Sequence, residues 1–201
     1  MAATTEIIRR RYDRTSIFYD CMDWLINDEI RKKVIELAYG KVLEVGVGTG
    51  KNLKFFSPAC EVTGIDFSPG MLKKARQRAK GLANVTLYEM DVQNLDFPDN
   101  TFDTVIGTCV FCTVPDPIKG FRELNRVCKP DGQLVFLEHV RSANQVLGIL
   151  MDILNPLVVR VIGSNINRET VENMKKAGLH VETVETVGME ILKLIVAKPN
   201  K

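Results

Sequence analysis

Lys41-Val-Leu-Glu-Val-Gly-Val-Gly-Thr-Gly50 is the stretch that decides the fold. Lys41 to Val45 is a short β-branched run, and glycines follow at 46, 48 and 50. A strand that breaks straight into glycines lets the backbone turn sharply and approach a ligand with no Cβ in the way. The helix that follows adds unpaired N–H groups suited to an anionic group. The spacing separates two kinds of ligand. Dinucleotide sites favour G-x-G-x-x-G, which leaves room for a pyrophosphate at the helix start. Here the third glycine comes one residue early, and Glu44 stands two positions before the first.

Outward from this loop, strands and helices alternate. Glu61-Val-Thr-Gly-Ile-Asp66 reads as a second strand. Ser68-Pro69 then opens a helix to about Lys80, with Ser68 as cap and Pro69 at the first position. Val85 to Glu89 is a third strand, Phe102 to Thr108 a fourth, and Pro117 to Cys128 a helix ended by Lys129-Pro-Asp-Gly132. Gln133 to His139 is a fifth strand. This alternation predicts βαβ units, hence an α/β fold with a parallel sheet and helices on both faces. Residues 1–40 read as helices, from Ile7, Ile8, Tyr12 and Ile17, Phe18, Met22 at roughly helical spacing and a similar pattern over Trp24 to Ala38. Ala143 to about Ala177 is also helical, and Val181 to Thr186 and Glu190 to Ala197 are two closing strands suited to an antiparallel edge. One domain over 1–201 is expected. Its parts are a helical cap (1–40), a ligand-binding core (41–142), a helical insertion (143–177) and a closing hairpin (178–201).

The totals narrow the function. A chain of 201 residues fills one domain and is short for two. Hydrophobic residues at 45% and charged residues at 26% place it among ordinary globular proteins. A net charge of +2, without a basic stripe interleaved with aromatics, argues against a nucleic-acid partner. The tight basic cluster is Arg9, Arg10, Arg11 and Arg14, which reads as a solvated helix face or as a patch toward phosphate or membrane. No signal peptide is visible over Met1 to Glu6. Five scattered cysteines suit a reducing cytoplasm. Cys109 and Cys112 form a lone CxxC that no second pair or nearby histidines complete, so small buried residues are expected there and no metal site.

Two further strand ends carry acids. Asp66 follows Gly46 by 20 residues, where a carboxylate accepts from both hydroxyls of a ribose. Met90-Asp91-Val92 follows the third strand, where a carboxylate accepts from the exocyclic amine of an adenine. Each acid alone reads as a loop cap or a solvated charge. At successive strand ends they converge, because open α/β sheets bind ligands outside the carboxyl ends of their strands.

In this order the motifs resemble those of class I S-adenosylmethionine-dependent methyltransferases. The matching residues are Glu44 to Gly50, Gly64-Ile-Asp-Phe-Ser68 with Met71, Asp91-Val92, Phe102-Asp-Thr-Val105 and Arg126-Val-Cys-Lys-Pro-Asp-Gly132. The resemblance runs from about Tyr12 to the end. It implies a Rossmann-like sheet of seven strands, mostly parallel, with the last strand antiparallel. It implies S-adenosyl-L-methionine as cofactor and S-adenosyl-L-homocysteine as product. It also puts the methionine part on Glu44, Gly46, Gly48 and Gly50, the ribose on Asp66 and the adenine near Phe67, Met71, Asp91 and Val92. Thr108 and Cys109 would line the methionine side.

Tyr12-Asp13 and Phe18-Tyr19-Asp20 look like the segment that opens quinone-biosynthesis and phospholipid N-methyltransferases, in which a helix folds over the cofactor and a tyrosine like Tyr19 faces it. Leu137-Glu-His-Val140 and Asn167-Arg-Glu-Thr170 look more like the membrane-associated alkyl thiol methyltransferases, whose long N-terminal anchor has no counterpart here. A lipid-like amine or quinol acceptor is favoured over a small thiol. A nicotinamide-dependent oxidoreductase is disfavoured by the glycine spacing and Asp91. A non-catalytic module would bind the cofactor and transfer nothing.

Val146 to Gly163 is strongly apolar, but Asp152, Asn155, Pro156 and Arg160 interrupt it, so it does not span a membrane. It reads as two short helices on the sheet edge, as a wall over the acceptor site, or as a membrane-dipping or dimer face. A peripheral membrane contact is thus among the expected partners. Methyl transfer is an in-line displacement that relies on positioning and a dry site. Tyr19 near the sulfonium would hold it by cation–π attraction. His139, ending the fifth strand on the ligand side, is the candidate base, or a histidine simply hydrogen-bonded in place. His180 begins a late strand at the other sheet end.

Overall fold

The structure, a computed structural model, describes residues 26–161 and 163–201. The helical periodicity around Ile7 and Phe18, the arginine cluster and Tyr19 lie outside the described residues. The first helix described, α1 (Asp28–Ile35), begins where the Asn27 side chain accepts a hydrogen bond from the Ile30 N–H at 2.9 Å. It is shorter at both ends than the apolar pattern over Trp24 to Ala38 suggests.

Seven strands follow: β1 (Lys41–Val45), β2 (Glu61–Asp66), β3 (Val85–Glu89), β4 (Phe102–Thr108), β5 (Cys128–His139), β6 (His180–Thr186) and β7 (Leu192–Lys198). They form one sheet in the order β3-β2-β1-β4-β5-β7-β6. All neighbours from β3 to β5 are parallel, and β7 is antiparallel to both β5 and β6. This is the Rossmann-like sheet expected. The closing hairpin is reversed relative to chain order, with β7 inside the sheet and β6 at its edge.

Helices cover both faces because successive β1 side chains alternate between two cores. Val42 belongs with Val34 and Ile35 of α1 and with Leu72 and Ala75 of α2 (Pro69–Arg78). Leu43 and Val45 belong with Phe121 and Leu124 of α3 (Pro117–Val127) and with Met174 of α5 (Thr170–Lys176). The helix starts read directly from the chain. Ser68 Oγ accepts from Met71 N at 3.2 Å and Asp116 Oδ1 from Lys119 N at 2.9 Å, each followed by a proline in the first turn.

Three segments differ from the sequence reading. The glycine loop is followed not by an α-helix but by one 3-10 turn, Leu53–Phe55. Lys129 to Gly132 is not a turn between helix and strand, because β5 already begins at Cys128, opposite Phe102, and resumes at Gln133 opposite Thr104. Lys129 Nζ, 2.6 Å from Asp103 Oδ1, fastens this bulge to β4. The insertion is also different. It holds α4 (Gln145–Val161), a single helix that continues through Pro156, then a stretch over 163–169 and the short α5. It is not two short helices packed on the sheet, for Ile153 and Leu157 of α4 are 69% and 61% exposed.

The core on the α3 face is organised by three rings. Phe111 and Phe121 stack at 3.6 Å between centroids, and each meets Phe136 edge-on at 5.5 Å. Phe121→Ala is therefore expected to lower the unfolding free energy by about 3–5 kcal/mol, measured by chemical denaturation. A loss below about 1 kcal/mol would mean that the rings are not the keystone of this face.

Candidate active site

The strand order reverses between β1 and β4, and the carboxyl ends of β1, β2, β3 and β4 open around one cleft of about 690 Å³. Gly46 and Gly48 enter it from the loop after β1, and Asp66, Phe67 and Met71 from the β2–α2 turn. Asp91 and Val92 enter past β3, and Thr108 and Cys109 from the end of β4. Glu44, Gly50 and His139 are not in its wall. Tyr19 lies outside the described residues.

Gly48 has φ +56°, and a Cβ there would meet nothing nearer than the Gly46 carbonyl oxygen at 3.8 Å. The loop therefore offers bare backbone to open space. Gly50 has another reason to be glycine: at φ +84° its Cβ would come within 2.9 Å of Leu53 Cδ1 and 3.0 Å of Ala75 Cα. It lets the loop pack on α2.

Asp66 Oδ2 accepts from Gly48 N and Oδ1 from Ser68 N, both at 2.9 Å. Asp91 Oδ1 accepts from Gln93 N at 2.9 Å, and the Gln93 side-chain amide reaches both Asp91 oxygens at 3.1 and 3.0 Å. Gln93 Oε1 in turn accepts from Asp116 N at 3.0 Å, joining this edge of the cleft to the start of α3.

Beneath the glycine loop runs a chain of polar groups. Arg31 Nη1 donates to Asn52 Oδ1 at 2.8 Å, and Asn52 Nδ2 donates to Glu44 Oε1 at 2.8 Å and Thr108 Oγ1 at 3.1 Å. Arg31, Thr49, Lys51 and Asn52 line a second recess, which shares Gly46, Gly48 and Thr108 with the cleft. Burial pushes the Glu44 carboxyl up to about 7, against the lowering effect of the Asn52 bond and the Arg31 charge. Among the described residues its second oxygen has no partner.

The far wall rests on Glu138. Its Oε1 accepts from Val110 N at 2.8 Å and Phe111 N at 3.0 Å, and burial raises this carboxyl to about 7 as well. Arg168 Nη2 holds the same wall by donating to Val114 O at 2.9 Å. Cys109, at φ +52°, turns the chain out of β4, and its Sγ lies 3.3 Å from His139 Nδ1. Cys112 is buried, and burial lifts its thiol to about 12. Among the described residues no group of His, Cys, Asp and Glu is set to hold a metal ion.

Sequence reasoning did not single out Arg31, Asn52 or Gln93, and it named Arg168 only within the Asn167-Arg-Glu-Thr170 motif. Gln93 carried a readable signal, two positions after Asp91 where an Asx turn closes. Asn52 lies just past the glycine loop with no motif to mark it, and Arg31 and Arg168 arrive from distant parts of the chain.

A doubly wound sheet with acidic turns at successive strand tips defines an α/β nucleotide-binding enzyme. Residues 43–136 match the model of a methyltransferase domain. The chain is 40% identical over 140 residues to a phosphatidylethanolamine N-methyltransferase of Cereibacter sphaeroides, covering 67% of this chain and 68% of that enzyme. It is 36% identical over 148 residues to a demethylmenaquinone methyltransferase of Staphylococcus aureus, covering 68% of this chain and 61% of that one. The crystal structure of a methyltransferase from Thermotoga maritima shares the fold, with a TM-score of 0.70 over 95% of this chain and 99% of that one at 21% identity. The chain belongs to the S-adenosylmethionine-dependent methyltransferases. It is an enzyme of that class, with S-adenosylmethionine as its cofactor.

The two buried carboxyls make stability depend on pH. An acid raised from 4.5 to about 7 binds its proton more tightly in the fold than in the unfolded chain. Its contribution is fully present below pH 4.5 and is lost as pH rises toward about 7. Glu138→Gln keeps an oxygen for Val110 N and Phe111 N and removes the titration. It is expected to flatten the fall in unfolding free energy over that window, measured by urea denaturation at several pH values. An unchanged slope would show that Glu138 is already ionised in the fold below neutral pH.

Proposed function

We propose that this enzyme methylates a lipid-like acceptor, an amine headgroup or a quinol, and that it does so at a membrane surface without crossing it. The observation that carries the reading is the convergence of Gly48, Asp66 and Asp91 on one cleft whose wall continues through Val110, Val114 and Pro115. It combines nucleotide-binding groups with an apolar boundary. Two relatives carry a lipid substrate in their names, phosphatidylethanolamine in one and demethylmenaquinone in the other. No described helix is long and apolar enough to cross a membrane.

The donor set suits the cofactor. In this reading Asp66 accepts from the ribose hydroxyls, and its own oxygens are already oriented by the Gly48 and Ser68 N–H groups. Asp91 and Val92 receive the adenine edge, with Phe67 and Met71 beside it. Gly46 and Gly48 give backbone to the methionine end, and Glu44 acts through Asn52 beneath them. Thr108 and Cys109 bound the sulfur side, and Tyr19 is assigned to its charge. When bound, S-adenosylmethionine supplies an electrophilic methyl group on a positively charged sulfur.

The protein contributes alignment and dryness. His139 is assigned as the base that takes the acceptor's proton. Its Nδ1 lies 3.3 Å from Sγ of Cys109, a residue of the cleft wall.

Incubation of the chain with radiolabelled S-adenosylmethionine and separate lipid, quinol and thiol pools tests the acceptor. Label in the lipid or quinol pool is expected; label on a small thiol alone, or on nothing, would overturn the reading. Asp66→Ala is expected to weaken S-adenosylhomocysteine binding by about 1.5–3 kcal/mol in calorimetry, the range of a lost charge-assisted bond. Unchanged affinity would remove the ribose assignment. His139→Ala is expected to keep that affinity and slow turnover, and an unaltered rate would leave His139 as scaffold.

A further inference from the structure

α4 is amphipathic in the inverse sense. Its polar side is bonded to neighbouring segments of the chain: both Asp152 oxygens accept from Arg141 at 2.9–3.2 Å, and Asn167 Nδ2 donates to Asp152 Oδ1 at 2.9 Å. Asn155 donates to Asn165 Oδ1 at 3.2 Å and accepts from Ile166 N at 3.0 Å. Its opposite side carries Val146, Ile149, Leu150, Ile153 and Leu157, which are 79%, 55%, 48%, 69% and 61% exposed. These positions recur at intervals of three and four, so they form one stripe along the helix. A helix on a water-exposed surface normally turns such a stripe inward.

We propose that this stripe docks on a lipid bilayer, with α4 lying in the plane of the interface. Three observations select a bilayer over a protein partner. The five side chains are aliphatic, with no aromatic anchor and no hydrogen-bonding group, whereas protein interfaces favour Tyr, Trp and Arg at their centres. Fluid hydrocarbon makes no directional demand.

The second observation is charge. Arg160 is exposed on the same side of α4, near its end. An aliphatic stripe that ends beside an exposed arginine suits anionic headgroups over hydrocarbon.

The third observation is continuity with the cleft. Asn165 N donates to Cys112 O at 2.8 Å and Arg168 to Val114 O at 2.9 Å, and Val114 is part of the cleft wall. The segment that follows α4 is thus bonded to the boundary an acceptor would pass. The choice of bilayer rests in part on the lipid-acceptor reading, so the two are tested by separate readouts.

The full chain is sedimented with sucrose-loaded vesicles of phosphatidylglycerol and phosphatidylethanolamine. Wild-type protein is expected in the pellet. I153S/L157S, which removes apolar surface without adding charge, is expected to bind these vesicles at least ~10-fold more weakly. Its S-adenosylhomocysteine affinity and sedimentation coefficient are expected to stay unchanged. Ile149→Ser alone is expected to move in the same direction by less, and it decides the matter if the double variant loses S-adenosylhomocysteine binding.

Wild-type protein left in the supernatant, or serine variants that bind vesicles as tightly, would overturn the proposal. So would a dimer that the serine variants dissociate, since the stripe would then be a contact between copies. Vesicle binding with label only on a soluble thiol keeps the docking surface and removes the lipid acceptor. Methylated lipid without vesicle binding does the reverse.

Discussion

One carboxyl-bearing residue holds the cleft together. Asp66 accepts backbone N–H bonds from Gly48 and Ser68 through its side chain, and its own carbonyl accepts from Met90 N at 3.0 Å. The glycine loop after β1, the cap of α2 and the end of β3 are thereby fixed relative to one residue at the tip of β2. Bonds from N–H groups to a carboxylate are among the stronger ones available to a protein. The same oxygens point where a ribose is expected. In the proposed reading, recognition and scaffolding share this one group.

Two other acids, Glu44 and Glu138, do the bracing on either side of Thr108. Each is buried, each bonds through one oxygen, and each has a second oxygen without a partner among the described residues. A buried carboxylate with half its bonding capacity unused is costly, which is why burial raises both toward neutrality. One supports the glycine loop from below. The other holds the turn from Cys109 to Phe111 open toward the cleft, and Phe111 in turn joins the ring cluster with Phe121 and Phe136. Core packing and site geometry meet at that turn.

The half of the site contributed by local motifs was legible in the chain. Gly46, Gly48, Asp66, Asp91 and Thr108 follow strands whose ends are readable, and parallel strands bring their carboxyl ends together. Arg31, Asn52 and Arg168 were not legible, because their roles come from partners such as Glu44 and Val114 that no local pattern predicts. The β5 bulge escaped for a related reason: Pro130-Asp-Gly132 has the composition of a free turn, and only the Lys129–Asp103 pair draws it into the strand. The apolar run around Ile153 was visible, but its direction was not. Periodicity identifies a face and is silent on which way the face points, and here Asp152 and Asn155 decide it by bonding to the segments on either side of α4.

The hairpin order has a consequence for how the molecule is made. β6 leaves the ribosome before β7, yet it reaches the sheet only through β7, which bonds to β5 on its other side. Until β7 arrives, β5 is an open edge with unpaired backbone groups, and β6 has no partner among the strands already synthesised. Such an edge invites pairing with a neighbouring chain. Nascent chains of this enzyme are therefore open to misassembly in the interval between the synthesis of β5 and that of β7.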